Sequence, residues 1–304
     1  MQQGKPKALI LGGSGFLGIN FLRYCEMFDL TLTYSKSIPT IDADWRKFDY
    51  PSDTGETLSA IIEEIAPNII INCIALADVD QCESDQKKSK DLNSLLPMLI
   101  SNVTKKYNVK FIHISTDHFK SRKETPRTEE SELWPINVYG RTKIIGEKLI
   151  AGENPDALVL RTNFFGFSYR NQNTLMEKIV SNLKRSKKFN GYTDVVFNPV
   201  SVIYLIRAIE YLYSIDSKGV FNIVSKSVIS KYDFAKLVAQ IFTLDTEYIV
   251  PSISQKEISG VDRPIYLALS PDKYEKTNPP RIPDVREMLI ELKEDTLWLD
   301  KLRS

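Results

Sequence analysis

Two short stretches hold residues whose types and spacing could do chemistry. Tyr139-Gly140-Arg141-Thr142-Lys143 places a phenol and an ammonium four residues apart. On a helix such positions share one face. An ammonium beside a phenol favours the phenolate and brings its pKa down from about 10 toward neutrality. A tyrosine so tuned can give and take a proton at working pH. Ser115-Thr116-Asp117 closes an apolar run, and the Thr116 hydroxyl could hold and polarise a carbonyl oxygen beside that phenol. Spacing alone does not make the case, because Tyr232 and Lys236 repeat it. That second pair follows Ser230, an N-cap with Asp233 three residues on, and has no hydroxyl-bearing strand end before it. It reads as a structural helix face.

The elements that must position these groups begin at Ala8–Gly18, A-L-I-L-G-G-S-G-F-L-G. An apolar run feeding Gly12, Gly15 and Gly18 predicts a buried strand, a tight turn and a helix. The helix N-terminus offers unpaired N–H groups and the positive end of its dipole to an anion such as a pyrophosphate. Helical spacing then covers Phe16–Phe28, and Leu30–Tyr34 is a second strand. Thr57–Ile65 is a helix stopped by Pro67, and Asn68–Ile74 is a third strand without alternation, as expected with both faces covered. A long helix over Asp85–Tyr107, irregular near Pro97, leads to strand Lys110–Ser115. Helix Asn137–Ala151 and strand Ala157–Arg161 follow. Strands alternating with helices predict an α/β fold, a doubly wound parallel sheet of Rossmann type.

After Thr162 the rhythm loosens: helices over Asn173–Lys187, Val200–Tyr213 and Ser230–Phe242, a strand over Gly219–Val224, then a proline-rich loop region and a last helix over Asp284–Leu292. Residues 1–162, with about 198–224 returning to the sheet, read as the dinucleotide-binding domain. About 163–197 and 225–304 read as a smaller α/β substrate-binding lobe, expected over the carboxyl ends of the strands.

Composition sets limits. The 304 residues are 42% hydrophobic and 26% charged, ordinary for a globular protein, and the net charge of +1 gives no global case for nucleic acid or a membrane surface. The first strand begins too early for a signal peptide, and no apolar run would span a bilayer. Cys25, Cys73 and Cys82 show no C-x-x-C spacing, which predicts a reducing cytoplasm and no metal site.

The chain resembles the extended short-chain dehydrogenase/reductase family, in its dTDP-4-dehydrorhamnose reductase-like branch. The matching stretches are Gly12–Gly18, N-C-I-A-L-A-D-V-D at Asn72–Asp80, S-T-D-H at Ser115–His118, P-I-N-V-Y-G-R-T-K-I-I-G-E at Pro135–Glu147, R-T-N-F-F-G at Arg161–Gly166 and R-P-I-Y-L-A-L at Arg263–Leu269. The resemblance implies cofactor contacts at Gly12, Gly15, Phe16, Leu17 and Gly18, and at Asp49 and Tyr50 near the adenine. It also implies contacts at Cys73, Ile74 and Ala75 by the riboses, and places Asn93 in the family's asparagine–hydroxyl–tyrosine–lysine set. Thr116, Tyr139 and Lys143 match the catalytic triad, with Lys143 also on the nicotinamide ribose. The second strand ends Thr33-Tyr34-Ser35-Lys36 without an acid, so Ser35 and Lys36 favour NADP(H) over NAD(H), although Asp42 and Asp44 lie a little further on.

The implied function is reduction of a nucleotide-linked 4-keto-sugar, with Asp117, His118, Asn163 and Arg263 on the substrate side and a homodimer as a family habit. Two alternatives stay open: an epimerase on the same fold, and a non-catalytic NADP-binding regulatory subunit like that of methionine adenosyltransferase. Two departures bear on the substrate. The family's S-T-D-Y-V-F-D-G is S-T-D-H-F-K-S-R here, so His118 is either a second polar group facing substrate or a loop filler. In Asp194–Val200, Val195 and Val200 replace a glutamine and a threonine that help shape the sugar side.

Overall fold

The computed structural model describes residues 4–120, 124–168, 174–254 and 260–295. In chain order the elements are β1 (Lys7–Leu11), α1 (Phe16–Tyr24), β2 (Asp29–Tyr34), β3 (Asp44–Lys47), α2 (Gly55–Ile65), β4 (Ile69–Asn72), α3 (Val79–Ser84), α4 (Gln86–Lys90), a π-helical turn (Asp91–Leu95), α5 (Leu96–Lys106), β5 (Lys110–Ile114) and α6 (Val138–Glu153). There follow β6 (Leu158–Thr162), β7 (Phe164–Phe165), α7 (Leu175–Lys184), β8 (Phe189–Tyr192), β9 (Val196–Phe197), β10 (Val200–Ser201), α8 (Val202–Ser214), β11 (Gly219–Ile223), β12 (Ile229–Ser230), α9 (Lys231–Ile241), β13 (Ile249–Ser252), α10 (Asp272–Glu275) and α11 (Val285–Glu294). Asn173, the predicted start of α7, lies outside the described residues, as do Ser121 and Arg122 of the altered S-T-D-H-F-K-S-R run.

Seven strands form the central sheet in the order β11-β6-β5-β4-β1-β2-β3. The ladders from β6 to β3 are parallel. Strand order reverses between β1 and β4, and an open parallel sheet binds ligands outside the carboxyl ends at such a point. Ile69, Ile70 and Ile71 of β4 are fully buried, which explains their unbroken apolar run. Leu58, Ile61 and Ile62 of α2 cover one face with Leu96 and Ile100 of α5.

Two compact units divide the chain. One comprises Met1–Thr116, Pro135–Arg161 and Ile209–Phe221; the other comprises Asp117–Trp134, Thr162–Ala208 and Asn222–Ser304. Asp117–Trp134, grouped by sequence with the first part, clusters here with the second. The second unit is built on short ladders, β10 with β7, β12 with β9 and β13 with β8. In its core Phe234 meets Phe165 and Phe197 edge-on at centroid distances of 5.3 and 5.5 Å.

Helix α1 ends at Tyr24 and the expected helix over Val200–Tyr213 opens as β10, and further differences from the sequence expectation have physical reasons. β3 is an additional edge strand, D-W-R-K, whose polar face carries no apolar alternation. α2 starts at Gly55 because the Thr54 side chain caps it, and it ends at Ile65 as expected, with its C-cap Ala66 in the left-handed region before Pro67. The predicted single helix over Asp85–Tyr107 is α4, the π-turn and α5 in succession. Pro97 lacks the N–H that would bond to the Asn93 carbonyl, and the Leu96 N–H reaches back five residues to Asp91. The freed Asn93 carbonyl abuts Gly146 of α6, where a side chain would collide with it. Among the described residues no helix is long and apolar enough to cross a membrane.

Candidate active site

At the end of β1 the backbone turns on Gly12, whose φ of +79° favours glycine. Gly12 N–H donates to Thr33 Oγ1 at 2.9 Å, and its carbonyl accepts from Gly15 N–H at 2.9 Å. A Cβ on Gly12 would stand 2.9 Å from Ile74 Cγ1, and one on Gly18 would stand 2.5 Å from Gly13 Cα. Gly12 thus admits the loop that follows β4, and Gly18 seats α1 on the turn. Gly15 caps α1 without a side-chain acceptor, and the helix start at Phe16, Leu17 and Gly18 carries the positive end of the helix dipole, which suits an anion.

The loop after β4 is fixed from both sides. Cys73 N–H donates to Leu11 O at 2.9 Å, and Ile74 N–H donates to Asn72 Oδ1 at 3.0 Å. Burial pushes the Cys73 thiol up to about 12, which favours the thiol over the thiolate, and Ala75 is exposed. The fully buried Asn93 engages its amide with the Leu76 backbone, accepting from N–H at 2.9 Å and donating to O at 3.0 Å. Its side chain therefore shapes the loop.

At the end of β2, Ser35 Oγ donates to Asp49 Oδ1 at 2.6 Å, while Lys36 is exposed. Tyr50 packs against the core under the neighbouring helices, and burial raises its phenol pKa. Asp44 accepts the Thr31 hydroxyl at 2.7 Å and pairs with Arg46, which holds it in the edge strand.

Tyr139 and Lys143 lie on α6, whose N-cap Asn137 accepts from Gly140 N–H at 2.9 Å. Tyr139 is half-buried against Leu76, Cys82 and Val138. Lys143 is only 1% exposed. Its Nζ donates to Ile114 O at 2.8 Å and lies 3.1 Å from His113 Nε2. Burial is the main cause that brings this ammonium down to about 8, opposed by the charge of Glu147. Burial, with Lys143 beside it, also holds His113 well below the ordinary imidazole range. Of the two hydroxyls at the end of β5, Ser115 donates to Glu147, itself paired with Arg161 at 2.7 Å. The neighbouring Thr116 is buried.

In the second unit, Asp117 and Asn163 are joined, Asn163 Nδ2 donating to Asp117 Oδ2 at 2.9 Å. Burial raises the Asp117 carboxyl, while Lys231, Asn163 and Arg127 oppose that rise. His118 is driven down to about 4 by burial and by the charges of Arg263, Lys231 and Arg127, so it is a neutral imidazole among cations. Arg263 is exposed and donates to Val261 O at 3.3 Å. Val200 is fully buried in β10, and Asn198 clamps Ser225 O and Leu269 O at 2.9 and 2.8 Å.

Two groups were not singled out in the sequence. His113, fully buried within β5, contacts Lys143. Lys231, at the first position of α9, has its amine 3.3 Å from the centroid of the Phe197 ring and is brought to about 8 by burial, with Asp117 opposing. The only signal for His113 was a lone imidazole in the apolar strand before Ser115.

The RmlD substrate binding domain family matches residues 6–297. A probable low-salt glycan biosynthesis reductase of Haloferax volcanii is 27% identical over 263 residues, covering 84% of this chain and 86% of its own length. A dTDP-4-dehydrorhamnose reductase of Mycolicibacterium smegmatis is 28% identical over 229 residues, 73% of this chain and 68% of that protein. In fold, a dTDP-4-dehydrorhamnose reductase of Bacillus anthracis solved with NADP superposes with a TM-score of 0.84 at 20% identity, over 96% of this chain and 100% of that one.

Proposed function

The chain belongs to the RmlD substrate binding domain family, and from that membership we propose that it is a nicotinamide-dependent reductase of a nucleotide-linked 4-keto-sugar. The observation that carries this reading is the buried Lys143, one helical turn beyond Tyr139, with its amine anchored to Ile114 at the end of β5, two residues before Thr116.

The residues present fit the cofactor. Gly12 and Gly18 let the turn after β1 close tightly on the loop after β4 and on the start of α1, and α1 begins without a side-chain cap. Phe16, Leu17 and Gly18 would hold the pyrophosphate, Cys73–Ala75 and Lys143 the riboses, and Asp49 and Tyr50 the adenine side. A reduced nicotinamide would supply the hydride. Tyr139 gives its phenolic proton to the carbonyl oxygen as that oxygen gains charge, and Thr116 orients the same oxygen. Lys143 stabilises the phenolate left behind. Asp117, His118, Asn163 and Arg263 take the sugar nucleotide, with Arg263 suited to its diphosphate.

We assign NADP(H) over NAD(H). Ser35 and Lys36 end β2, and Asp44 is already engaged by Thr31 and Arg46. A hydroxyl and a cation suit a 2′-phosphate better than a bare ribose. Fluorescence titration should give tighter binding of NADPH than NADH, and Lys36→Glu should narrow or reverse the difference. Equal affinities in the parent protein would overturn the preference.

The function is tested by incubating the protein with NADPH and a panel of nucleotide 4-keto-sugars while following nicotinamide absorbance. Oxidation dependent on one sugar supports the reading. Binding of NADPH without oxidation by any of them would favour the non-catalytic role.

A further inference from the structure

Behind the phenol–lysine pair runs a chain of buried polar groups that the reductase reading does not use. Asn72 and His113 stand opposite each other in the β4–β5 ladder. Asn72 and His113 are 0% exposed and Lys143 is 1% exposed. The Ile74 N–H, 3.0 Å from one end of the Asn72 amide, requires that end to be the oxygen. The other end is therefore the NH2 group, and it lies 3.1 Å from His113 Nδ1. An amide nitrogen only donates, so Nδ1 accepts. A neutral imidazole carries one ring proton, which is then on Nε2. That Nε2–H points at Lys143 Nζ, 3.1 Å away, and needs a lone pair there. An amine has one and an ammonium has none. The amine keeps an N–H for Ile114 O, its partner at 2.8 Å.

We infer that Asn72 and His113 are positioning residues that favour the uncharged amine of Lys143 in the ligand-free protein, and that charging it requires the Asn72 amide to release the Ile74 peptide. With an ammonium, Nε2 must accept, so the ring proton moves to Nδ1 and faces the amide. The amide then turns its oxygen to the ring, and the Ile74 N–H loses its partner. Proton uptake at Lys143 and the conformation of the loop after β4 are thereby linked, and Ile74 of that loop lies against Gly12. The other ionisable groups that act on Lys143 are Glu147, one turn on along α6 and held by Arg161, and Cys82 from α3, with Tyr139 one turn back on the same helix.

The test uses the ligand-free chain, so its outcome is independent of whether any keto-sugar is reduced. At about pH 9.5, above the Lys143 titration, imidazole nitrogen shifts should show His113 protonated on Nε2 and bare on Nδ1, and the opposite tautomer there overturns the inference. With 13C-labelled lysine, Lys143 should titrate near 8, as its burial dictates. In His113→Gln the new amide can turn its oxygen to Nζ, and in Asn72→Ala Nδ1 is released to carry the proton. Either variant should raise the Lys143 titration by about one pH unit or more, about tenfold in proton affinity. A purely structural role would lower the melting temperature without moving the titration. Folded variants with an unmoved Lys143 titration would overturn the inference.

Discussion

On α6, Lys143 is withdrawn from water and its amine is fixed between a strand carbonyl and an imidazole. On α9, Lys236 lies with its Nζ 5.3 Å from the ring centroid of Tyr232, its own partner four residues back. Tyr232 packs against Gly191, where a Cβ would stand 2.9 Å from its Cδ2. Both pairs obey the same helical geometry. In the second, the cation rests on the aromatic face, an interaction of roughly 0.5–1 kcal/mol at an accessible site. In the first, burial and fixed partners change the acidity of the amine. An i, i+4 tyrosine and lysine are neighbours by geometry alone, and only their surroundings make them a proton-transfer pair.

The contrast between the two pairs breaks most readily at Tyr139. Tyr139→Phe should lower turnover by about 10²–10⁴-fold while leaving NADPH affinity unchanged in a fluorescence titration; near-normal turnover would remove the catalytic assignment. Gly12→Val forces a β-branched residue to positive φ, toward Ile74. It should weaken NADPH binding by about tenfold or more at a strain of roughly 1–3 kcal/mol.

A subtler difference lies in stability against pH. Lys143 titrates at about 8 when folded, against about 10.4 in an unfolded chain. Below pH 8 both states carry the proton and the native state bears the full penalty of burying it. Between those values only the unfolded state holds the proton, so native stability rises with pH. Lys143→Met should therefore melt higher than the parent at pH 7, by on the order of 1 kcal/mol. The advantage should shrink toward pH 10, and thermal melts across that range check it. The smallest effect belongs to the other helix: Tyr232→Phe should leave turnover within about twofold, since it keeps the ring that Lys236 covers.

The alternation of strands and helices was legible because buried parallel strands read as unbroken apolar runs, as Ile69–Ile71 does. β3 was not legible, because an edge strand protects itself with charge, and Asp44-Trp45-Arg46-Lys47 looks like a loop. The sharing of α6 by Tyr139 and Lys143 was readable from spacing. The partners of Lys143 were not, because strand register sets them and no local pattern encodes register. Asn93 was placed in the cofactor set by resemblance, whereas its amide is engaged with Leu76. Lys231 escaped notice because a lysine opening a helix looks solvated until the fold seats it over Phe197.

The π-turn at Asp91–Leu95 also constrains how the gene can change. Ser89 and Asn93 before and within it reach Thr142 Oγ1 at 3.0 and 3.3 Å, and Ser94 reaches the Thr142 carbonyl at 2.7 Å. Further along, Ser101 reaches Ile150 O at 3.2 Å. Each residue turns a helix by about 100°, so the widened turn sets the rotational phase between α4 and α5. Substitutions there alter one contact at a time. Inserting a further codon would instead turn Ser101 away from α6 while Ser89 stayed facing it, so this stretch tolerates changes of letter far better than added length.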